Sequence, residues 1–517
     1  MTIVDLIKRS GQWFGDRIAV VFDREKLTYR EFILRTNCLS NGLLNLGLRQ
    51  GDHVAILMGN TIHMMESQFA LAFGGLVWVK LNPRTSLQEC LHILNDSESK
   101  AILLGQEYGD ILKEISKDLK YIKHIIFDGP PVPGWENYEA LVSRSASSYP
   151  KIEIRENDLY SIRYSSGTTG EPKGILHSER ARMTSLINVI LDTPLNEQDA
   201  MLHASPLSHG SALYFLECFV KGGKNVILNK FDPLAFFAAV AKEKVTMTYV
   251  VPTMIYMLLE SKDLQDYDLS SLKRIVYAAS PIAPLKLKEA IQKFGNIFHQ
   301  IYGMSEAPNV ITSLRKEEHL LAGNEAGDGL LCSAGRPSLL SDVKIVGTDH
   351  RDMKPGEVGE VCIRSTQLME RYWKLPRETE EKLRGDWFLT GDMGRIDENG
   401  YLYIVDRKND MIISGGLNIY PSEVENAIFQ HPGVLECAVI GIPDEKWGEA
   451  VQAFVVLKEN RTATEEEIIR FCRSKIANYK KPHRVEFVEC LPKNSLGKVL
   501  RRELRAKYWH GHRRLVH

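Results

Sequence analysis

Residues 53–81 read HVAILMGNTIHMMESQFALAFGGLVWVKL. Residues 53–58 form an apolar run of strand length bounded by Gly59-Asn60, the pattern of a strand covered on both faces. Residues 62–73 have the length of a helix, which Gly74-Gly75 ends before a second apolar strand at 76–81. A strand, a helix and a strand in this order require a crossover connection, and hence parallel pairing. Upstream, Thr28 with Glu31 is a capping box, hydroxyl and carboxylate each satisfying an otherwise free amide, and Gly47 closes the helix it opens. Downstream, residues 101–104 and 124–127 continue the strands. Beyond residue 220, strands at 226–228, 245–251 and 274–279 alternate with helices at 232–242, 253–259 and 284–294, the first opened by Asp232-Pro233. This part of the chain is α/β, with mainly parallel sheets flanked by helices.

The last hundred residues differ. Strands at 434–442, 450–457 and 485–488 and one helix capped by Thr464 and Glu467 make a small α+β domain. The charged stretch Asp406-Arg407-Lys408-Asn409-Asp410 is the natural boundary, giving a large domain over 1–408 and a small, mobile C-terminal one over 409–517. At 517 residues the chain is too long for a single core. Lys plus Arg (65) nearly balance Asp plus Glu (66), which argues against a nucleic-acid binder. The eight cysteines form no close pair, so neither a zinc knuckle nor a redox couple is expected, and a reducing compartment is. No leader-like start is present, and the longest apolar region, 69–79, is too short to span a bilayer. A cytoplasmic protein with no membrane span is expected.

Residues 164–174 read Tyr-Ser-Ser-Gly-Thr-Thr-Gly-Glu-Pro-Lys-Gly. Glycines let backbone amides approach phosphate oxygens, the hydroxyls of Ser165, Ser166, Thr168 and Thr169 add donors, and Lys173 adds charge. The spacing departs from the Walker A loop, where lysine follows glycine directly. The stretch Ser165 to Gly174, with Gly167 and Gly170 inside it, resembles the signature of the adenylate-forming superfamily: acyl-CoA synthetases, peptide-synthetase adenylation domains and beetle luciferases. The likeness runs in order from about residue 10 to 505. It implies activation of a carboxylic acid by ATP as an acyl-adenylate, release of pyrophosphate, and transfer to a nucleophile, most often the thiol of coenzyme A.

The remaining roles are what this resemblance implies. Tyr302-Gly303-Met304-Ser305-Glu306 resembles a segment in which Tyr302 packs on adenine, Ser305 keeps a hydroxyl where the family has threonine, and Glu306 holds Mg²⁺. Thr390-Gly391-Asp392 and Tyr403 to Arg407 are similar to the ribose-binding pair, with Asp392 on the hydroxyls and Arg407 on ribose or α-phosphate. Lys498 corresponds to the lysine that bridges substrate carboxylate and α-phosphate, offsetting the repulsion of two anions, and is the principal catalytic candidate. Gly415 and Gly416 line the pantetheine path. Trp447, Tyr479 and Lys481 meet the CoA nucleotide, and Asn409 is the hinge, where the family usually has Asp or Lys. His209 is a gate beside the acid, whose pocket is His209, Gly210, Ser211, Met254, Ala278, Ala279, Met304 and Asn309.

These small or apolar residues suit an aryl or short-to-medium-chain monocarboxylic acid. The absence of a carboxylate from residues 205–212 disfavours an amino-acid substrate. The expected protein is an ATP- and Mg²⁺-dependent acid–CoA ligase, monomeric or homodimeric, whose partners are a small carboxylic acid, ATP and CoA. A ligase passing the acyl group to an amine or a carrier protein is the alternative. A nucleotide-binding regulator is disfavoured by Lys173, Glu306, Asp392 and Lys498.

Overall fold

The 53–81 stretch folds as a strand, helix and strand: His53–Leu57 and Val77–Lys80 pair in parallel, Val54 opposite Trp78, and helix Ile62–Phe73 connects them. The structure, a computed structural model, describes residues 1–165, 172–208, 210–320, 329–408, 410–415, 417–493 and 499–509, without the side chains of residues 165, 213 and 320. The chain divides into two units, Met1–Asp342 with Arg364–Phe388, and Val343–Ile363 with Leu389–His517.

The first unit contains two large sheets. The eight-stranded one runs Arg371–Tyr372, Lys173–Ser178, Leu159–Ser165, Val77–Lys80, His53–Leu57, Ala101–Gly105, His124–Asp128 and Glu136–Asn137. It is parallel except at the hairpin of Leu159–Ser165 with Lys173–Ser178 and its short neighbour. Alternation sorts the side chains: Val77, Val79, Ile162 and Leu176 enter one core cluster, while Trp78 enters another on the opposite face. The nine-stranded sheet is parallel across its middle, from Phe298–Tyr302 through Arg274–Tyr277, Met247–Val250, Ala200–His203 and Lys224–Ile227 to Ile18–Phe22, with antiparallel edges.

Local signals explain the helices. Thr28 and Glu31 form the capping box of Tyr29–Asn45, and Asp232 accepts the Ala235 amide at 2.9 Å to open Pro233–Glu243. Tyr29, Phe32, Phe69, Phe215 and Phe219 then stack into one aromatic cluster. Each such ring contributes about 0.5–1.5 kcal/mol per pair beyond its area. The buried Tyr29 hydroxyl donates to the Gly223 carbonyl at 2.6 Å, which satisfies its polar end.

The second unit is α+β. Trp387–Ile396 pairs antiparallel with Leu402–Arg407. A further sheet orders Leu417–Ile419, Ile412–Ser414, Gly448–Leu457 and Val434–Asp444, with Arg484–Phe487 parallel to Gly448–Leu457. Its helix Glu465–Arg473 carries the capping box of Thr464 and Glu467. All eight cysteines are free thiols. Among the described residues no helix is long and apolar enough to cross a membrane.

Candidate active site

In the first unit, strands Leu159–Ser165 and Lys173–Ser178 pair antiparallel with Ser165 opposite Lys173, so the glycine- and hydroxyl-rich segment joins two paired strands. Ser166, Gly167, Thr168, Thr169 and Gly170 lie outside the described residues, as does the Ser165 side chain. At Gly174 a Cβ would stand 2.9 Å from Trp373 Cβ, so glycine is what lets the neighbouring chain pack there. Trp373 donates its amide to the Gly174 carbonyl at 2.8 Å. Lys173 is ion-paired with Glu378 on helix Pro376–Lys382, a carboxylate that an incoming phosphate would have to replace.

Strand Phe298–Tyr302 delivers the second motif. A side chain at Gly303 would meet the Asn309 carbonyl oxygen at 2.0 Å, so the turn after the strand closes only over glycine. Its ends are tied by Met304 N to Ala307 O at 3.0 Å and Ile311 N to Tyr302 O at 2.9 Å. Glu306 is half-buried, and its Oε1 accepts the Tyr372 hydroxyl at 2.9 Å. Burial, reinforced by Glu306, pushes the Tyr372 phenol well up, so it stays a donor. Among the described residues no cluster of three or more His, Cys, Asp or Glu could hold a metal. A single carboxylate suits Mg²⁺, which keeps phosphate oxygens and waters as the rest of its shell.

The acid-pocket residues separate into groups. A Cβ on Gly210 would strike the Tyr249 ring at 2.4 Å, and Tyr249 shares a core cluster with Ala278 and Tyr214. Ser211 Oγ lies 2.9 Å from His203 Nδ1, whose Nε2 meets Asn225 Oδ1 at 2.8 Å. Burial lowers His203 to about 4, leaving a neutral ring that braces this loop. Met304 packs against the cluster of Ile175, Met369 and Tyr372, and Met254 belongs to a different core. Ala279 (φ +76°) and Asn309 (φ +72°) are both left-handed. Ala279 is exposed, whereas Asn309 is buried and donates to Ser185 Oγ at 2.6 Å. His209 lies outside the described residues.

In the second unit, Asp392 and Arg407 are register partners, with Arg407 Nε 2.6 Å from Asp392 Oδ1. Thr390 Oγ1 accepts the Asp392 amide at 3.0 Å and donates to the Val361 carbonyl at 2.8 Å, which fixes the carboxylate's strand. Burial raises the neighbouring Asp406 to about 6, and it accepts the Arg407 and Ser422 amides. Gly415 has φ +57°, and a Cβ there would stand 2.7 Å from Trp447 Cε3, so two residues 32 apart in sequence meet. Trp447 and Tyr479 are exposed, with Lys446 over the first ring at 4.9 Å and Lys480 over the second at 5.5 Å. Lys481 is half-buried. Asn409, Gly416 and Lys498 lie outside the described residues. A bridge of Lys493 with Val499 and the Leu500 N to Pro492 O bond at 2.8 Å join the chain on either side of 494–498.

Three site residues escaped the sequence reading: Tyr372, Glu378 and Tyr249. Each acts through a partner far away in the chain, and the short strand Arg371–Tyr372 carried no periodic signal.

Residues 7–373 match the AMP-binding enzyme family and residues 423–498 the AMP-binding enzyme C-terminal domain. The chain is 36% identical over 487 residues to a medium/long-chain-fatty-acid–CoA ligase of Mycobacterium tuberculosis, covering 91% of this chain and 84% of that one. It is 35% identical over 485 residues to a feruloyl-CoA synthase of an Amycolatopsis species, covering 93% and 94%. The crystal structure of the anthranilate CoA ligase AuaEII in complex with anthranoyl-AMP superposes with a TM-score of 0.89 at 27% identity, covering 98% of this chain and 97% of that one.

Proposed function

The chain belongs to the AMP-binding enzyme family, and we infer that it is an AMP-forming acid–CoA ligase acting on an aryl or short-to-medium-chain monocarboxylic acid. The observation that carries the activity is 35% and 36% identity, over 93% and 91% of the chain, with a feruloyl-CoA synthase and a medium/long-chain-fatty-acid–CoA ligase. The small and apolar surroundings of Gly210, Ser211, Ala278 and Tyr249 support the acid's class.

In the first half-reaction, the acid's carboxylate oxygen attacks the α-phosphorus of ATP, the bond to the β-phosphate breaks, and pyrophosphate leaves. Ser165 to Gly170 and Lys173 hold the phosphates, Tyr302 the adenine, Ser305 a phosphate or ribose oxygen, and Asp392 with Arg407 the ribose. Glu306, oriented by Tyr372, would hold Mg²⁺, which neutralises the transferring charge when bound. Lys498 bridges the two anions in the transition state. In the second half-reaction the CoA sulfur attacks the acyl carbon and AMP leaves, with Gly415 and Gly416 beside the pantetheine arm, Trp447, Tyr479 and Lys481 at the CoA nucleotide, and His209 as the gate. The functional boundary falls at residue 408, with Asn409 as the hinge, and the assembly is a monomer or homodimer. A cytoplasmic setting fits the unpaired cysteines.

The test is mass spectrometry of products from Mg-ATP, CoA and a panel of aryl and aliphatic acids, with pyrophosphate followed in parallel. Acyl-CoA from an apolar monocarboxylic acid is expected. Pyrophosphate with acyl-adenylate but no thioester would move the acceptor to an amine or a carrier protein.

A further inference from the structure

One face of the eight-stranded sheet carries charge where a core would be apolar. Lys80 and Arg163 are direct register partners on adjacent parallel strands, so both side chains leave the same face. His177 joins them from the second hairpin strand, opposite Ser161. Helices Glu179–Asp192 and Ala212–Val220 bring Arg182 and Glu217 against them. Lys80, His177, Arg182 and Glu217 are all buried, Glu217 completely. One ion pair forms among them, Arg182 Nη1 to Glu217 Oε1 at 2.7 Å.

The rest is unbalanced. The Lys80 ammonium sits 3.8 Å from the centre of the Trp78 ring and pairs with no carboxylate among the described residues. Arg163 makes no ion pair there either, and its Nε is buried without a hydrogen-bond partner. Glu217 Oε2 is also buried without a hydrogen-bond partner, whereas the His177 ring lies against the backbone of Ser305 and Glu306. Lys80 and Arg163 thus have no carboxylate of their own, while Arg182 pairs with Glu217 and lies near the buried Glu179. Burial, then Arg163 and Arg182, holds the Lys80 ammonium well below its ordinary range. Burial, then Arg182, lowers Arg163 to about 10. Uncompensated buried charge is costly, and negative charge is what offsets it. Arg163 and its neighbour Tyr160 are half-buried, so the cluster is not wholly sealed from solvent.

We propose that Lys80, Arg163 and Arg182 form an oxyanion site behind the phosphate hairpin, taking a small phosphate or carboxylate group. The guanidinium fork matches the paired oxygens of such a group, and the ammonium supplies a point charge. Arg163 precedes Ser165 by two residues, which places the site roughly 7 Å along the strand from the Ser165–Lys173 pair. The anion has two sources: a free inorganic phosphate, or a second acidic group on the acid being activated, which would replace the monocarboxylic reading of the substrate. The site is read from the first unit alone; its phosphate arm is tested by binding and stands apart from the ligase assignment, whereas the substrate arm rests on that assignment.

Full-length protein is titrated with sodium phosphate against matched sodium chloride, following thermal unfolding, for the wild type, Lys80→Met, Arg163→Met and Lys173→Ala. Methionine replaces an unpaired buried cation with apolar volume, so both variants are expected to melt at or above the wild type in chloride. Phosphate should stabilise the wild type, still stabilise Lys173→Ala, and bind Lys80→Met and Arg163→Met at least about tenfold more weakly. That result assigns a free anion. If phosphate is inert, acids with and without a second carboxylate are compared as substrates. A KM raised about tenfold in Arg163→Met for the dicarboxylate alone assigns the substrate-borne group. A wild type indifferent both to phosphate and to a second carboxylate overturns the proposal, whether or not the methionine variants fold. So does a phosphate response kept by both methionine variants or lost only with Lys173→Ala.

Discussion

Replacing Asp392 by asparagine isolates the ribose contact. The carboxylate is 4% exposed, is fixed by its strand partner, and has Arg407 Nε 2.6 Å from Oδ1. An amide keeps the volume and one acceptor but removes the charge, and its nitrogen cannot accept the second hydroxyl. A hydrogen bond to a charged group contributes about 1.5–3 kcal/mol net, so losing one raises the KM for ATP about ten- to a hundredfold. The fold should lose less. Arg407 is 41% exposed, and ion pairs open to solvent are worth about 0–1 kcal/mol. The assay is pyrophosphate release with ATP, 2′-deoxy-ATP and 3′-deoxy-ATP. The wild type should discriminate against both deoxy-nucleotides, and Asp392→Asn should discriminate hardly at all. An unchanged KM for ATP, or undiminished discrimination in the variant, refutes the ribose assignment.

Lys498→Ala should slow acyl-adenylate formation about a hundredfold or more while leaving thioester formation from supplied acyl-adenylate nearly intact; equal loss in both half-reactions would count against domain alternation. Gly415→Ala puts a Cβ at φ +57° and 2.7 Å from the Trp447 ring, so acyl-CoA formation should fall with pyrophosphate release preserved, as mass spectrometry of both products would show. Burial raises the Glu179 carboxyl to about 7. In the unfolded chain it titrates near the ordinary 4.5, so its contribution is fully present below that pH and lost as pH rises through 7. Glu179→Gln should thus exceed the wild type by about 3 kcal/mol at about pH 8 in denaturant unfolding, with no gain near pH 4.5.

Local patterns were legible because the physics that sets them is local. The 53–81 unit, the capping boxes at Thr28 and Thr464 and the Asp232 cap all depend on residues within one helical turn or one strand. The site's motifs were readable for the same reason: each lies in a single short segment. Pairings between segments were not. Nothing in the sequence ties Glu306 to Tyr372, Lys173 to Glu378 or Gly210 to Tyr249. Lys80 and Arg163 show the limit most clearly. Each sits in an apolar strand whose alternation gives it a face, but only the register of the sheet puts the two on that face together.

The proposed hinge gains a physical basis from its neighbours. Lys408 Nζ binds Glu360 at 2.9 Å and its amide the Gly391 carbonyl at 2.8 Å. Asp410 pairs with Arg501 at 3.3 Å and Arg505 at 2.7 Å. Both flanks of residue 409 lie in the second unit, and the Asp410 and Met411 amides also donate to the Arg407 carbonyl at 2.9 and 3.1 Å. A backbone change between such anchors concentrates on the single residue between them, and asparagine tolerates more of dihedral space than other non-glycine residues. On the proposed hinge role a charged side chain at 409 is not required, so Asn409 is compatible with it where the family usually has Asp or Lys.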